Sequence, residues 1–251
     1  MNGLHSFELA GVDGKLIRGD RSIGKDRQIL FITGFLSKRW GNKSKALSQW
    51  CLGRGWGFSC YDVRGFGDSE GDFINYTLSD WIADARRVIT MLQGGPPLTI
   101  VGNSLGGWTA WLMAQEFHEI ERLILIAPAF NMMGVRAKVI DPERRQAWQE
   151  SGWMPWDDEP AHRDFPLAWK WVEESEAYWK TSFDRLRPVN TTILHGLQDT
   201  VIQPSGSREF VEQLLSRDPA FPVKLQLIPG DHRLSSDEQV ERFRRLVLET
   251  P

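Results

Sequence analysis

The sequence predicts an α/β protein: a doubly wound, mostly parallel sheet covered by helices on both faces. Two observations carry this expectation. Short apolar runs alternate with helical stretches along most of the chain, and each run is brief, β-branched or aromatic, and bounded by Gly or Pro. A third bounds the domain count: 251 residues, 41% of them hydrophobic and 25% charged, allow one large core and are short for two independent ones.

In chain order, strands are expected at 28–33 (QILFIT), 57–63 (GFSCYDV), 98–101 (LTIV), 122–127 (RLILIA), 191–195 (TTILH) and 223–228 (VKLQLI). Between them lie helix signals. Thr77 and Ser79 precede the Trp81, Ile82, Val88 pattern, and Ser235 with Glu238 forms a capping box before Val240, Phe243 and Val247. The alternation fails from 131 to 187, which has polar and charged segments, no good strand and half of the 12 tryptophans. That stretch reads as an insertion into a core made of 1–130 and 188–251.

A net charge of −3 offers no basic stripe for nucleic acid and no polybasic run for an anionic membrane, so a small-molecule partner is expected. No apolar stretch approaches the roughly 18 residues a membrane span needs, and the N-terminus MNGLHSFELAGVDG is charged where a signal peptide is apolar. A cytoplasmic location is the expectation; the oligomeric state is left open. Cys51 and Cys60 read as buried thiols rather than a bridge. With no HExxH, paired CxxC, phosphate-binding Gly-Lys-Ser/Thr loop or GxGxxG between strand and helix, neither metal nor cofactor is expected.

The residues point instead to nucleophilic catalysis. A hydroxyl needs a base within hydrogen-bond reach, a group that orients the base, and donors for the developing oxyanion. Gly102-Asn103-Ser104-Leu105-Gly106 follows the run 98–101 and leads into a helix through Trp108, Trp111 and Leu112, which is a strand, sharp turn and helix with Ser104 at the turn. Gly67-Asp68-Ser69-Glu70-Gly71 fits the same spacing. Ser69, however, is flanked by two acids that repel an oxyanion and precedes no helix pattern, so it reads as a loop residue.

Among five histidines, His232 follows the last strand and precedes the capped C-terminal helix, at the carboxyl edge where such sheets present their sites. His195 reads as support for its own turn. Asp199, after the strand ending at His195, is the expected orienting acid; Asp231, adjacent to the base, reads as a loop or cap carboxylate. The oxyanion donors are expected to be the backbone amides of Leu105 and Phe35, the latter in the loop Thr33-Gly34-Phe35-Leu36.

These residues resemble the α/β-hydrolases, and within them the branch that holds the mitochondrial acyl-protein thioesterase, which also cleaves acyl glucuronides, and its bacterial relatives. The resemblance is carried by Thr33-Gly34-Phe35-Leu36-Ser37 with Gly41-Asn42-Lys43 and Lys45-Ala46-Leu47; by Tyr61-Asp62-Val63-Arg64-Gly65-Phe66-Gly67-Asp68-Ser69; by Gly102-Asn103-Ser104-Leu105-Gly106-Gly107-Trp108; by His195-Gly196-Leu197-Gln198-Asp199; and by Asp231-His232-Arg233. Thr33 departs from the wider class, where a His often precedes the glycine. The resemblance implies an α/β-hydrolase fold, hydrolysis of acyl thioesters or oxygen esters, and a small helical cap or lid over residues 131–187. Trp148, Trp153, Trp156, Trp169, Trp171 and Trp179 would line an acyl pocket or pack the cap onto the body, and Trp153 and Trp156 are taken as substrate-binding candidates. Carbon–carbon, lactone or amide hydrolysis, perhydrolysis, and a non-catalytic binder are the competing readings on the same fold.

Overall fold

The computed structural model describes residues 3–154 and 165–248. Its strands are β1 (His5–Ala10), β2 (Leu16–Ser22), β3 (Gln28–Ile32), β4 (Gly57–Tyr61), β5 (Leu98–Asn103), β6 (Ile120–Ile126), β7 (Trp153–Met154), β8 (Leu167–Ala168), β9 (Asn190–Gly196) and β10 (Val223–Ile228). Its helices are α1 (Asn42–Leu52), α2 (Leu78–Leu92), α3 (Leu105–Glu116), α4 (Met132–Val139), α5 (Pro142–Ser151), α6 (Lys170–Thr181), α7 (Pro204–Arg217) and α8 (Asp237–Leu248).

Among the described residues, eight strands form one sheet in the order β1-β2-β4-β3-β5-β6-β9-β10. From β4 to β10 all neighbours are parallel, while β1 pairs with β2 and β2 with β4 antiparallel. The parallel strands are the six that the sequence predicts; the inner strands β3 and β4 are buried at every position as continuous apolar runs, while β10 at the far edge is mostly half-buried. The β1–β2 hairpin was not predicted. It lies at the sheet edge, where the charged Glu8, Arg18, Asp20 and Arg21 interrupt its apolar residues around the buried Phe7 and Ile17, so it leaves no apolar run.

Helix α2 is capped by Thr77, which exchanges capping bonds with Asp80, and buries Trp81, Ile82, Ala85, Val88 and Ile89 on one face. Helix α3 is buried at every position from Leu105 to Ala114. It packs on β5, β6 and α2, and its Trp111 meets Phe210 of α7 edge-on at 4.9 Å. The C-terminal capping box sits one residue later than the sequence suggested: Ser236 N donates to Gln239 Oε1 at 3.0 Å, and Gln239 N to Ser236 Oγ at 3.4 Å.

Between β6 and β9 lie α4, α5 and α6, together with an antiparallel pairing of β7 and β8 where no strand was expected. Two-residue strands are too short for alternation to register. Helix α6 is fastened to the start of α2, because Glu174 accepts from Ser79 N at 2.8 Å and from Thr77 Oγ1 at 3.1 Å.

Candidate active site

Strand β5 delivers Ser104 to the carboxyl edge of the sheet in a turn that few residues tolerate, with φ +53° and ψ −122°. The surroundings hold it there. Ser104 N donates to Ile126 O at 2.8 Å, and Ser104 O accepts from Gly107 N at 2.9 Å and Ala129 N at 3.0 Å. Glycine is required at two of the flanking positions: a Cβ on Gly106 would strike the carbonyl oxygens of Ile32 and Thr33, and one on Gly102 would strike Gly106 O.

His232 reaches this hydroxyl from the loop between β10 and α8. Its Nε2 lies 3.1 Å from Ser104 Oγ and its Nδ1 lies 2.7 Å from Asp199 Oδ2. A carboxylate oxygen only accepts, so Nδ1 carries the proton and Nε2 is free to accept from the serine hydroxyl. Asp199 is buried after β9 and receives four N–H groups. Oδ1 accepts from Val201 N at 2.9 Å and Ile202 N at 2.8 Å; Oδ2 accepts from His232 and from His195 Nε2 at 3.1 Å. Burial alone would push its carboxyl up; the hydrogen bonds from His195, His232 and Ile202, with the field of His232, overcome that and hold it well below the usual carboxylate range.

His195 was read as a support for its own turn, and the structure gives it a wider role. Its Nε2 also lies 2.9 Å from Ile202 O, an acceptor, so this nitrogen bears the proton and Nδ1 accepts from Ser207 Oγ at 2.8 Å. The fully buried ring is therefore locked as a second donor to the carboxylate that faces His232.

The competing candidates are occupied elsewhere. Ser69 Oγ donates to Asp62 O at 2.6 Å and accepts from Arg18 N at 2.8 Å, fixing the loop to β2. Asp231 Oδ1 accepts from Arg233 N at 3.0 Å and Leu234 N at 3.1 Å, a turn of the loop around His232. Cys51 and Cys60 are free and buried, and burial pushes the Cys51 thiol up to about 12.

Leu105 opens α3, so its amide is among the first-turn donors without an intrahelical acceptor. Phe35 follows β3 on the other side of Ser104, beside Gly34, whose Cβ position would be 3.0 Å from Ser104 Cβ. The Phe35 ring is clamped by Trp171 at 5.3 Å, Trp81 at 5.5 Å and Phe73 at 5.9 Å. Of the tryptophans in the 131–187 stretch, Trp148 and Trp171 are packing residues; Trp148 is buried with its Nε1 donating to Leu167 O at 2.8 Å. Trp153 lies on β7 and is 45% exposed. Trp156 lies outside the described residues. Among the described residues no helix is long and apolar enough to cross a membrane.

The model of the Alpha/beta hydrolase family matches residues 29–246. The chain belongs to this family. Among curated proteins, this α/β hydrolase is similar to the mitochondrial palmitoyl-protein thioesterase ABHD10 of Mus musculus, 26% identical over 219 residues that cover 86% of this chain and 72% of the relative. Among solved structures it is similar to a putative hydrolase from Agrobacterium vitis S4, with TM-score 0.85, 24% identity, and 98% and 97% of the two chains covered. It is also similar to the structure of mouse alpha/beta hydrolase domain-containing protein 10, with TM-score 0.82, 24% identity, and 97% and 96% covered.

Proposed function

We propose that this α/β hydrolase is a serine hydrolase that cleaves carboxylic esters or acyl thioesters through an acyl-enzyme on Ser104. The observation that carries the reading is the hydrogen-bond line Ser104 Oγ, His232 Nε2, His232 Nδ1, Asp199 Oδ2, with its steps of 3.1 and 2.7 Å. Ser104 Oγ attacks the acyl carbon while its proton passes to His232 Nε2. The oxyanion that forms is held by the amides of Phe35 and Leu105, and Asp199 stabilises the imidazolium. Collapse expels the alcohol or thiol with the proton from Nε2; water, deprotonated by the same nitrogen, then releases the acid and returns the proton to Ser104.

Acyl thioesters enter because the curated relatives are named as palmitoyl-protein thioesterases. Residues 131–187 are assigned as a cap over the 1–130 and 188–251 core, and its aromatic content supports an apolar acyl end, with Trp153 and Trp156 as its proposed contacts. No cofactor enters these steps. Because those relatives are named as mitochondrial, the cytoplasmic placement is a proposal for cell fractionation to decide.

Fluorophosphonate labelling tests the assignment. Ser104→Ala abolishes labelling and Ser69→Ala retains it; the reverse pattern overturns the reading. In the wild type, p-nitrophenyl octanoate is turned over faster than the acetate, and equal rates remove the support for an apolar acyl pocket.

A further inference from the structure

Two motifs that the chemistry above does not use, Gly41-Asn42-Lys43 and the Arg233 of Asp231-His232-Arg233, meet in space. Lys43 stands in the first turn of α1, at the end of the loop that begins with Thr33-Gly34-Phe35, and its Nζ donates to the backbone carbonyl of Arg233, the residue after the proposed base. The base loop is otherwise tied from its own side. Gly230 N donates to Gln198 Oε1 at 2.6 Å, Gln239 Nε2 donates to Pro229 O at 2.9 Å, and Asp231 folds back on the amides of Arg233 and Leu234. Leu234 sits at φ +43°, a conformation that persists in a non-glycine residue only where its surroundings impose it.

We infer that Lys43 is a positioning residue for His232, its ammonium locking the loop that carries the base to the segment that carries the oxyanion amide. This rests on the reading of Ser104 and His232 as nucleophile and base. Both the attacking oxygen and the oxyanion must be placed to a fraction of an ångström, and Lys43 joins the two loops that flank Ser104.

The bond is charge-assisted and therefore sensitive to pH. The half-buried ammonium faces Asp231 and Arg233 from the base loop, and the first turn of α1 supplies no acid. Burial, reinforced by Arg233 and opposed by Asp231, lowers its pKa to about 8. The ammonium is thus present below that pH and lost as pH rises through it, so activity falls along an alkaline limb centred there.

The test measures kcat and KM for p-nitrophenyl octanoate in wild type, Lys43→Met and Lys43→Arg across the neutral and alkaline range, with melting temperatures and fluorophosphonate labelling of Ser104→Ala. Lys43→Met lowers kcat about 10-fold with little change in KM and has no alkaline limb. Lys43→Arg restores most of kcat and stays active beyond the wild-type limb, because a guanidinium holds its proton there. Wild-type kcat with an unchanged limb in Lys43→Met overturns the inference while the site reading stands. Labelling that survives in Ser104→Ala overturns both. Should Lys43→Met not fold, Lys43→Arg decides: an alkaline limb at the same pH as in the wild type excludes the assigned role, because a guanidinium keeps its proton there.

Discussion

The demands on Asp199 are unusual for one carboxylate, since each of its oxygens accepts two N–H donors. Asparagine cannot meet them, because its amide turns an N–H group toward one pair of donors. With the amide nitrogen at the Oδ2 position, His232 is driven to the tautomer that accepts at Nδ1 and carries its proton on Nε2, where it can no longer take one from Ser104. Asp199→Asn is therefore expected to keep its fold and lose about 10,000-fold in kcat, measured on p-nitrophenyl octanoate; a loss below about tenfold means that the tautomer is held by something else. The meeting of Ser104, Asp199 and His232 was legible in the sequence because each stands in a loop after a parallel strand, at the carboxyl edge of the sheet; Ser69 was set aside for its flanking acids and missing helix, and Asp231 for standing next to His232. The sharing of Asp199 Oδ2 between His195 and His232 was not legible. His195 lies near the end of β9 and His232 follows β10, so their convergence on one oxygen depends on the pairing of those strands and on Ile202 O fixing the His195 tautomer.

Among the elements, α6 couples the 131–187 stretch to the site. Its Trp171 meets Trp81 of α2 at 4.9 Å and Phe35 at 5.3 Å, and its Glu174 bonds the start of α2, so α6, α2 and the Phe35 loop form one packed unit. Removing the indole leaves a cavity among rings that cannot close over it. Trp171→Ala is expected to cost about 3–5 kcal/mol in urea unfolding, with Trp171→Phe costing less. The protein that remains folded should show kcat reduced about 10-fold, because the Phe35 amide moves with its ring. Full kcat in folded Trp171→Ala separates the ring cluster from the proposed oxyanion loop. This coupling escapes sequence reading because periodicity identifies which face of an element is buried, and not what it is buried against; the β1–β2 hairpin was hidden for a different reason, the lack of an apolar face to detect. The helices and parallel strands have long apolar faces and were found, whereas edge strands rich in Glu and Arg, and the two-residue β7 and β8, have none.

Across the whole molecule, buried charge fastens the antiparallel edge to the parallel body. Arg64, 1% exposed, follows β4; its Nε and backbone N donate to Asp84 of α2 at 2.6 and 2.8 Å, and its Nη1 donates to Asp13 in the β1–β2 turn at 2.8 Å. Tyr76 adds a bond to Asp13 at 2.8 Å and its ring lies 4.9 Å from the guanidinium carbon. A parallel network joins Arg39 to Asp20 of β2 and to Asp62 and Asp68. Such pairs are costly to break from one side, because the remaining charge keeps its desolvation penalty without its partner. Asp84→Ala is expected to lose about 3–5 kcal/mol of unfolding free energy, read from the urea midpoint at unchanged slope. The double replacement Arg64→Met with Asp84→Leu removes both charges and is expected to recover much of that loss, while Ser104 stays labelled by fluorophosphonate in each folded variant. A double variant no more stable than Asp84→Ala would mean that the salt bridge contributes through geometry that no apolar pair replaces, and that Arg64 is needed chiefly to hold Asp13 and the hairpin.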